Sequence, residues 1–531
     1  MPLIFLCFAA SLAPWLYDFP LNDDWAYALA ARTLAETGRL SLSDWGSATQ
    51  LPHLLAGALS ARVFGFSFAA LRLATLLSAA GALFFFIKLL DEFEVEPFEK
   101  AAAALALAFT PLFLTLSNSY MTDVHYLFWM LAAAYFWARR LDRPEDTAAL
   151  WLGGACAAAA YLTRQVGLAV PLAFSLALLL RERRDWRALA AAWALPAAAT
   201  VGHYLWFTRV HGPTWASENY VGAATLAHLA RPLPFLKDSI FRLMASMIET
   251  GLFLLPLAAG YALSMKKFCS RNGTGARVSA AGIWLALAVM GGFALFNGPL
   301  PYLENSVSSS GFGVLTLGGG GLKPSGLFTS TVFWTLATAA AVLSSVFLMC
   351  CSGLALRAGN PALRFLFAVC MAHLAVSLLG AKFFDRYLLT LLPWFAAAAV
   401  FAARGVKFSR PAAALALALY AALGWAGMKD YLEWNRAKWD LASRPRQGLA
   451  QGEIANGFDH DAWLNYERNM AYLKTMKPLK MIGEWEWQKI NGYKAIVSYT
   501  PDQRYALLDK AEYSTPLSSR KGVIYLLAPQ R

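Results

Sequence analysis

Uncharged, apolar stretches alternate with short charged ones along the chain. The apolar runs lie at about 2–19, 66–90, 101–117, 124–138, 148–163, 166–180, 190–208, 241–264, 280–297, 327–350, 365–381, 387–403 and 411–428. Several reach the roughly 20 residues that cross a bilayer core as a helix, and the pattern predicts about thirteen membrane helices. The start, Met1 to Pro20, lacks a basic n-region and a small-residue cleavage site before Trp15, Tyr17 and Asp18, so it reads as a retained first span. The expected fold is an all-α polytopic domain, 1–428, followed by a small soluble α/β domain, 429–531. That last segment is charged, with 16 basic and 12 acidic residues, and has β-like runs at Tyr493–Tyr499 and Gly522–Leu527.

Composition agrees with the pattern. Of 531 residues 58% are hydrophobic and only 15% charged, too few charges to cover a water-facing surface. The formal net charge of +13 would suit nucleic acid in a soluble protein. Here the basic residues sit in short loops between apolar runs, so they report topology and lipid headgroups, and no nucleic-acid partner is expected. Arg139, Arg140 and Arg143; Arg181, Arg183, Arg184 and Arg187; Lys266, Lys267, Arg271 and Arg277; and Arg404, Lys407 and Arg410 all fall on one side if the N-terminus is cytoplasmic. The acidic Asp91–Glu99 loop weighs little in that rule. With an odd number of spans, the C-terminal domain then lies outside, as do Leu21–Gly65, Arg209–Ile240 and Gly298–Gly326. Six cysteines in apolar runs or cytoplasmic loops imply no disulfide framework. The Gly318–Gly321 run lacks the ending of a phosphate-binding P-loop and reads as an outer linker.

Ionisable residues gather at span ends on the outer side. Leu21-Asn22-Asp23-Asp24-Trp25-Ala26-Tyr27 opens a helix-compatible stretch: Asn22 suits an N-cap, and two carboxylates suit a first helical turn whatever the protein does. The same pair, flanked by aromatic side chains at a membrane surface, also suits a general base acting on a hydroxyl. Asp123 enters from a second loop, Tyr120-Met121-Thr122-Asp123-Val124-His125, at the same predicted depth. Arg164, Lys382 and Arg386 occupy short outer turns; snorkelling explains such cations individually, and a phosphate clamp explains them together. His203 and His373, alone in mid-span, read as packed core histidines.

Four stretches resemble the C-type glycosyltransferases, in particular the branch of aminoarabinose transferases and protein O-mannosyltransferases. They are Asp23-Asp24-Trp25-Ala26-Tyr27; Leu51-Pro52-His53 through Phe64-Gly65-Phe66-Ser67 to Leu71-Arg72-Leu73; Met121-Thr122-Asp123-Val124; and Arg386-Tyr387-Leu388-Leu389 with Pro393. The resemblance implies a polyprenyl-phosphate-linked sugar donor and an acceptor hydroxyl on a lipid, protein or polysaccharide. It implies Asp23 as catalytic base, with Asp24 and Asp123 shaping the acceptor site or helping to bind a cation, and it supports Arg386 among the phosphate-binding cations. The chain departs from the family at Thr49-Gln50-Leu51-Pro52, where aminoarabinose transferases have Glu-Lys-Pro. A divalent ion on Asp123 and His125, with Asp24, is the metal site the residues allow. The expected location is a bacterial inner membrane. Three rival readings stay open: a solute transporter or lipid flippase, a glycan polymerase or ligase using diphosphate-linked donor, and a receptor binding sugar through Asn456–Trp463.

Overall fold

A computed structural model describes residues 1–47, 49–180, 185–264, 280–317, 326–475, 491–517 and 521–529. The Gly318–Gly321 run and the basic residues Arg181, Arg183, Arg184, Lys266, Lys267, Arg271 and Arg277 lie outside them. The protein is a mostly helical, multi-span membrane protein with a small C-terminal mixed sheet. Among the described residues six helices are long and apolar enough to cross a bilayer on their own: Phe68–Glu92, Trp186–His211, Ala280–Asn297, Thr331–Arg357, Pro361–Leu379 and Arg410–Ser443. Two bent pairs bring the candidates to eight. Pro97–Ala108 with Pro111–Ser117 bends by 59°, and Pro232–Phe253 with Leu255–Ala262 by 66°. A proline opens the second member of each pair, where its missing N–H breaks the preceding helical ladder.

Each of the thirteen apolar runs is helical, but not every one spans by itself. Pro2–Leu16, Thr147–Thr163, Gln165–Leu179 and Leu392–Ala402 are apolar helices of 10–17 residues. At about 1.5 Å per residue they are shorter than the roughly 30 Å hydrocarbon layer. The first is broken at Ala13, whose φ of 53° stops the helix before a short 3-10 turn. Ala280–Asn297 buries little of itself and presents Trp284, Leu295 and Phe296 outward, as a lipid-facing helix does.

The last long helix runs unbroken from Arg410 to Ser443, across the expected domain boundary at residue 428, and a short loop leads from it into the C-terminal sheet. Its sheet has four strands, β3 (Ile454–Ala455), β4 (Ala495–Ser498), β5 (Tyr505–Tyr513) and β6 (Gly522–Pro529), in the order β3-β4-β6-β5. β3 pairs parallel to β4, and the other pairings are antiparallel. A small hairpin, β1 (Val307–Ser308) with β2 (Gly311–Phe312), sits in the loop before the Thr331 helix.

Buried polar contacts lock the domain down. Lys438, fully buried, donates to Asp459 at 2.5 Å and to Thr316 at 2.5 Å; Trp439 also donates to Asp459, at 3.2 Å. Removing one member strands a buried charge. Lys438→Met should therefore lose about 3–5 kcal/mol, read as a large drop in the melting temperature of detergent-purified protein, while the added Asp459→Leu recovers most of it. An unchanged melting temperature in the single variant would show the pair to be solvated.

Candidate active site

The first long loop is held by its own carboxylates and by one deep arginine. Arg72, wholly buried in the Phe68–Glu92 helix, donates to the backbone carbonyls of Tyr17 and Phe19. Asp18 accepts the N–H of Phe68 at 2.7 Å. The chain then turns through Asn22 in a left-handed conformation (φ 60°), one that Asn tolerates better than most residues. The helix Asp24–Thr37 follows. Asp23, not Asn22, is its N-cap residue, and the Asp23 side chain makes no capping hydrogen bond. Its carboxylate instead accepts the indole N–H of Trp45 at 3.2 Å and lines a cavity.

Asp24 has a different task. It is fully buried and accepts the N–H groups of Leu21 at 2.6 Å and Tyr120 at 3.1 Å, tying the first loop to the turn before the Thr122–Asp142 helix. Burial pushes its carboxyl up to about 7, against Arg72 and those two donors, which favour the charged form. Tyr120 donates onward to the His53 carbonyl at 2.9 Å and lies so close to Gly57 that any side chain there would strike its hydroxyl.

The cavity has a volume of about 640 Å³, and Asp23, Arg164, Lys382 and Arg386 all line it. Asp123 stands behind its wall in the first turn of the Thr122–Asp142 helix, next to Thr122, which does face the space. The Asp123 carboxylate accepts from the Arg164 guanidinium, and its Oδ2 is buried with no protein hydrogen-bond partner. Arg164 and Arg386 lie 5.5 and 5.6 Å from the same Tyr387 ring. Burial opposes the charge on Arg386, but Asp123, Tyr387 and Asp23 more than restore it and hold the group above its ordinary range. Tyr27 faces the same space, and burial together with Asp23 pushes its phenol up to about 12, so it remains a hydroxyl. Asp385 points away. It accepts the N–H groups of Ser306 and Val307 and so fixes the loop that carries Asn305 into the cavity.

Part of the remaining wall is aromatic, with Trp45 and Phe458 among its residues. Trp45 stacks on Trp215 at 5.9 Å and 7°, and leans on Phe458 at 5.8 Å. Trp45 and Phe458 both line the cavity, so the C-terminal domain contributes to the site. The domain is moored to the first loop by a hydrogen bond from the Asp44 N–H to the Tyr466 hydroxyl and by a Lys474–Asp44 ion pair at 2.6 Å. Within the Asn456–Trp463 motif, Phe458 reaches the cavity while Trp463 stacks on Phe66, which makes the latter an anchor in the packing between loop and domain.

The residues drawn together as a metal site do not fit a divalent ion. His125 has Ser78 Oγ at 2.9 Å from Nδ1 and Thr75 Oγ1 at 3.2 Å from Nε2, and Asp24 is engaged by backbone N–H groups. Among the described residues no three His, Cys, Asp or Glu side chains gather where an ion could sit. Such ions take more ligands than the one that remains, Asp123, whose carboxylate already accepts from Arg164.

Three further contributors, Trp45, Tyr387 and His373, are not site candidates in the sequence, and Phe458 enters there only within the Asn456–Trp463 stretch of the receptor reading. Trp45 and Phe458 carry no charge, and Tyr387 belongs to the Arg386-Tyr387-Leu388-Leu389 motif. His373, read as a core histidine, lines the cavity. A single ring in a loop or a lone His in a span gives no sequence signal of its own; only the tertiary meeting of distant segments does.

Residues 53–206 match the family model described as dolichyl-phosphate-mannose-protein mannosyltransferase. The resemblance read from the motifs is borne out over that stretch. It contains Asp123 and Arg164; Asp23 lies before it, and Lys382 and Arg386 after it. No curated protein matches the chain. Among solved structures the chain is similar to ArnT from Cupriavidus metallidurans bound to undecaprenyl phosphate, at 14% identity and TM-score 0.42, over 98% of this chain and 97% of that one. It is also similar to the oligosaccharyltransferase AglB from Archaeoglobus fulgidus in complex with an inhibitory peptide and a dolichol-phosphate, at 14% identity and TM-score 0.44, over 93% of this chain and 68% of that one.

Proposed function

We propose that the chain is a membrane glycosyltransferase that moves a single sugar from a polyprenyl-phosphate donor to an acceptor hydroxyl on the outer membrane face. The observation that carries this reading is the meeting of Asp23, Arg164, Lys382 and Arg386 in one cavity, from segments more than 350 residues apart in sequence. A transporter would be expected to keep its ionisable groups at mid-bilayer depth, whereas these four stand at helix ends. The match of residues 53–206 to a family named for a polyprenyl-phosphate sugar supports the donor class.

The chemistry asks for two things. The acceptor hydroxyl attacks the anomeric carbon from the face opposite the phosphate, the sugar–phosphate C–O bond breaks, and configuration inverts in one displacement. Asp23 takes the hydroxyl proton; the Trp45 N–H orients the carboxylate. The departing polyprenyl phosphate keeps the bonding electrons, and Arg386 with Arg164 and Lys382 stabilises its charge in a site shielded from water. Phosphate is already a good leaving group, so no general acid is required. Asp123 holds Arg164 in place and balances the cations when no donor is bound. The acceptor is a hydroxyl of a lipid, a protein or a polysaccharide. In this reading the thirteen apolar helices all contribute to crossing a bacterial inner membrane, with the N-terminus cytoplasmic and the C-terminal domain outside.

The test is to incubate purified protein with a panel of polyprenyl-phosphate sugars and membrane extract, and to follow donor loss and product by mass spectrometry. The expected outcome is release of polyprenyl phosphate with a product one sugar heavier than its acceptor. Solute uptake into vesicles with no glycosylated product, or transfer of many sugars from a diphosphate-linked donor, would overturn it.

A further inference from the structure

His373 sits in the Pro361–Leu379 helix, six residues from its end on the cavity side, which is about 9 Å along the helix axis. It is 3% exposed, yet it lines the cavity. Both ring nitrogens are buried without a hydrogen-bond partner in the protein. One face of the ring stacks on Tyr126, at 5.7 Å between centroids and 23° between planes, so the imidazole is braced.

A buried imidazole with neither nitrogen paired forfeits the hydrogen bonds that both make in water. An apolar ring of the same shape would pack against Tyr126 without that cost. His53 shares the feature but does not line the cavity. What distinguishes His373 is that a bound molecule can reach it.

We propose that His373 is a further donor-binding residue, its imidazole N–H donating a hydrogen bond to a phosphate oxygen of the polyprenyl-phosphate ligand. The inference rests on the function proposed above and adds a residue to it. A phosphate diester presents only acceptors, and a neutral imidazole presents one N–H. Arg386, Lys382 and Arg164 line the cavity from the turns at helix ends, and His373 lines it from within the Pro361–Leu379 helix. A neutral donor there adds a directed contact without adding a fourth cation.

The experiment measures equilibrium binding of undecaprenyl phosphate to detergent-purified full-length protein, alongside thermal unfolding without ligand. His373→Phe keeps the ring on Tyr126 and removes both nitrogens. The expected result is an apparent Kd about tenfold weaker with a melting temperature equal to or above that of the wild type. His373→Gln, which keeps an N–H, should recover part of the affinity. A Kd within twofold of wild type in His373→Phe would overturn the proposal. So would a collapse in its melting temperature, which would show that the nitrogens serve the fold. Arg386→Ala separates the two levels. If Arg386→Ala weakens binding and His373→Phe does not, only the role of His373 falls; if wild type does not bind the lipid at all, the glycosyltransferase reading falls with it.

Discussion

Asp23→Asn is expected to lower kcat by about 10²–10⁴ while leaving expression, melting temperature and binding of polyprenyl phosphate close to wild type. The amide has the carboxylate's shape and can still meet the Trp45 indole through its oxygen, so the loop that carries it keeps its geometry. What it lacks is an acceptor for the proton of the attacking hydroxyl. Asp23 does not hold the backbone together as Asp24 does, because the N–H bonds that fix this turn go to Asp24. A loss of kcat in Asp23→Asn would therefore report on chemistry. A rate within a few-fold of wild type would remove Asp23 from the base role and leave the acid's purpose to be found among its neighbours.

Arg386→Ala should act on the other partner of the reaction, with an expected loss of about 10²–10³ in kcat/KM. Arg386 lies in the 3-10 turn Asp385–Thr390, fixed by Asp385 on one side and by the rings of Phe384 and Tyr387 on the other. Its charge is supported by Asp123 and Asp23 despite burial. Removing it leaves those two carboxylates facing an incoming phosphate with less positive charge between them. Affinity for donor should fall as well as turnover. Arg386→Lys should recover only part, because an ammonium keeps the charge but loses the planar, two-pronged contact. Steady-state kinetics over a range of donor concentration decide the matter, and an unchanged KM and kcat would rule out the clamp.

Much of this arrangement was legible in the sequence, and the legible part shares one property. Span positions and the outer acids and bases announce themselves locally, since a charge beside an apolar run of membrane length is conspicuous wherever it falls. Asp23, Arg164, Lys382 and Arg386 were all found that way. The distinction between Asp23 and Asp24 was not legible, because both suit the start of a helix; it depends on whether the N–H groups of Leu21 and Tyr120 point at one carboxylate or the other. Strands were read where the run was apolar, at Tyr493–Tyr499 and Gly522–Leu527, where the structure has Ala495–Ser498 and Gly522–Pro529, and missed at Tyr505–Tyr513, whose half-exposed residues offer no clear alternation. The aromatic wall was invisible for the same reason as His373. Trp45, Trp215 and Phe458 acquire meaning only from one another.

The Arg410–Ser443 helix gives the enzyme a rigid lever. At about 1.5 Å per residue its 34 residues extend roughly 50 Å, more than a bilayer core is thick, and every residue added to it advances the downstream chain by about 100°. Phe458 lies downstream of that screw and lines the cavity. The phase of the final span thus bears on where the C-terminal segment meets the pocket.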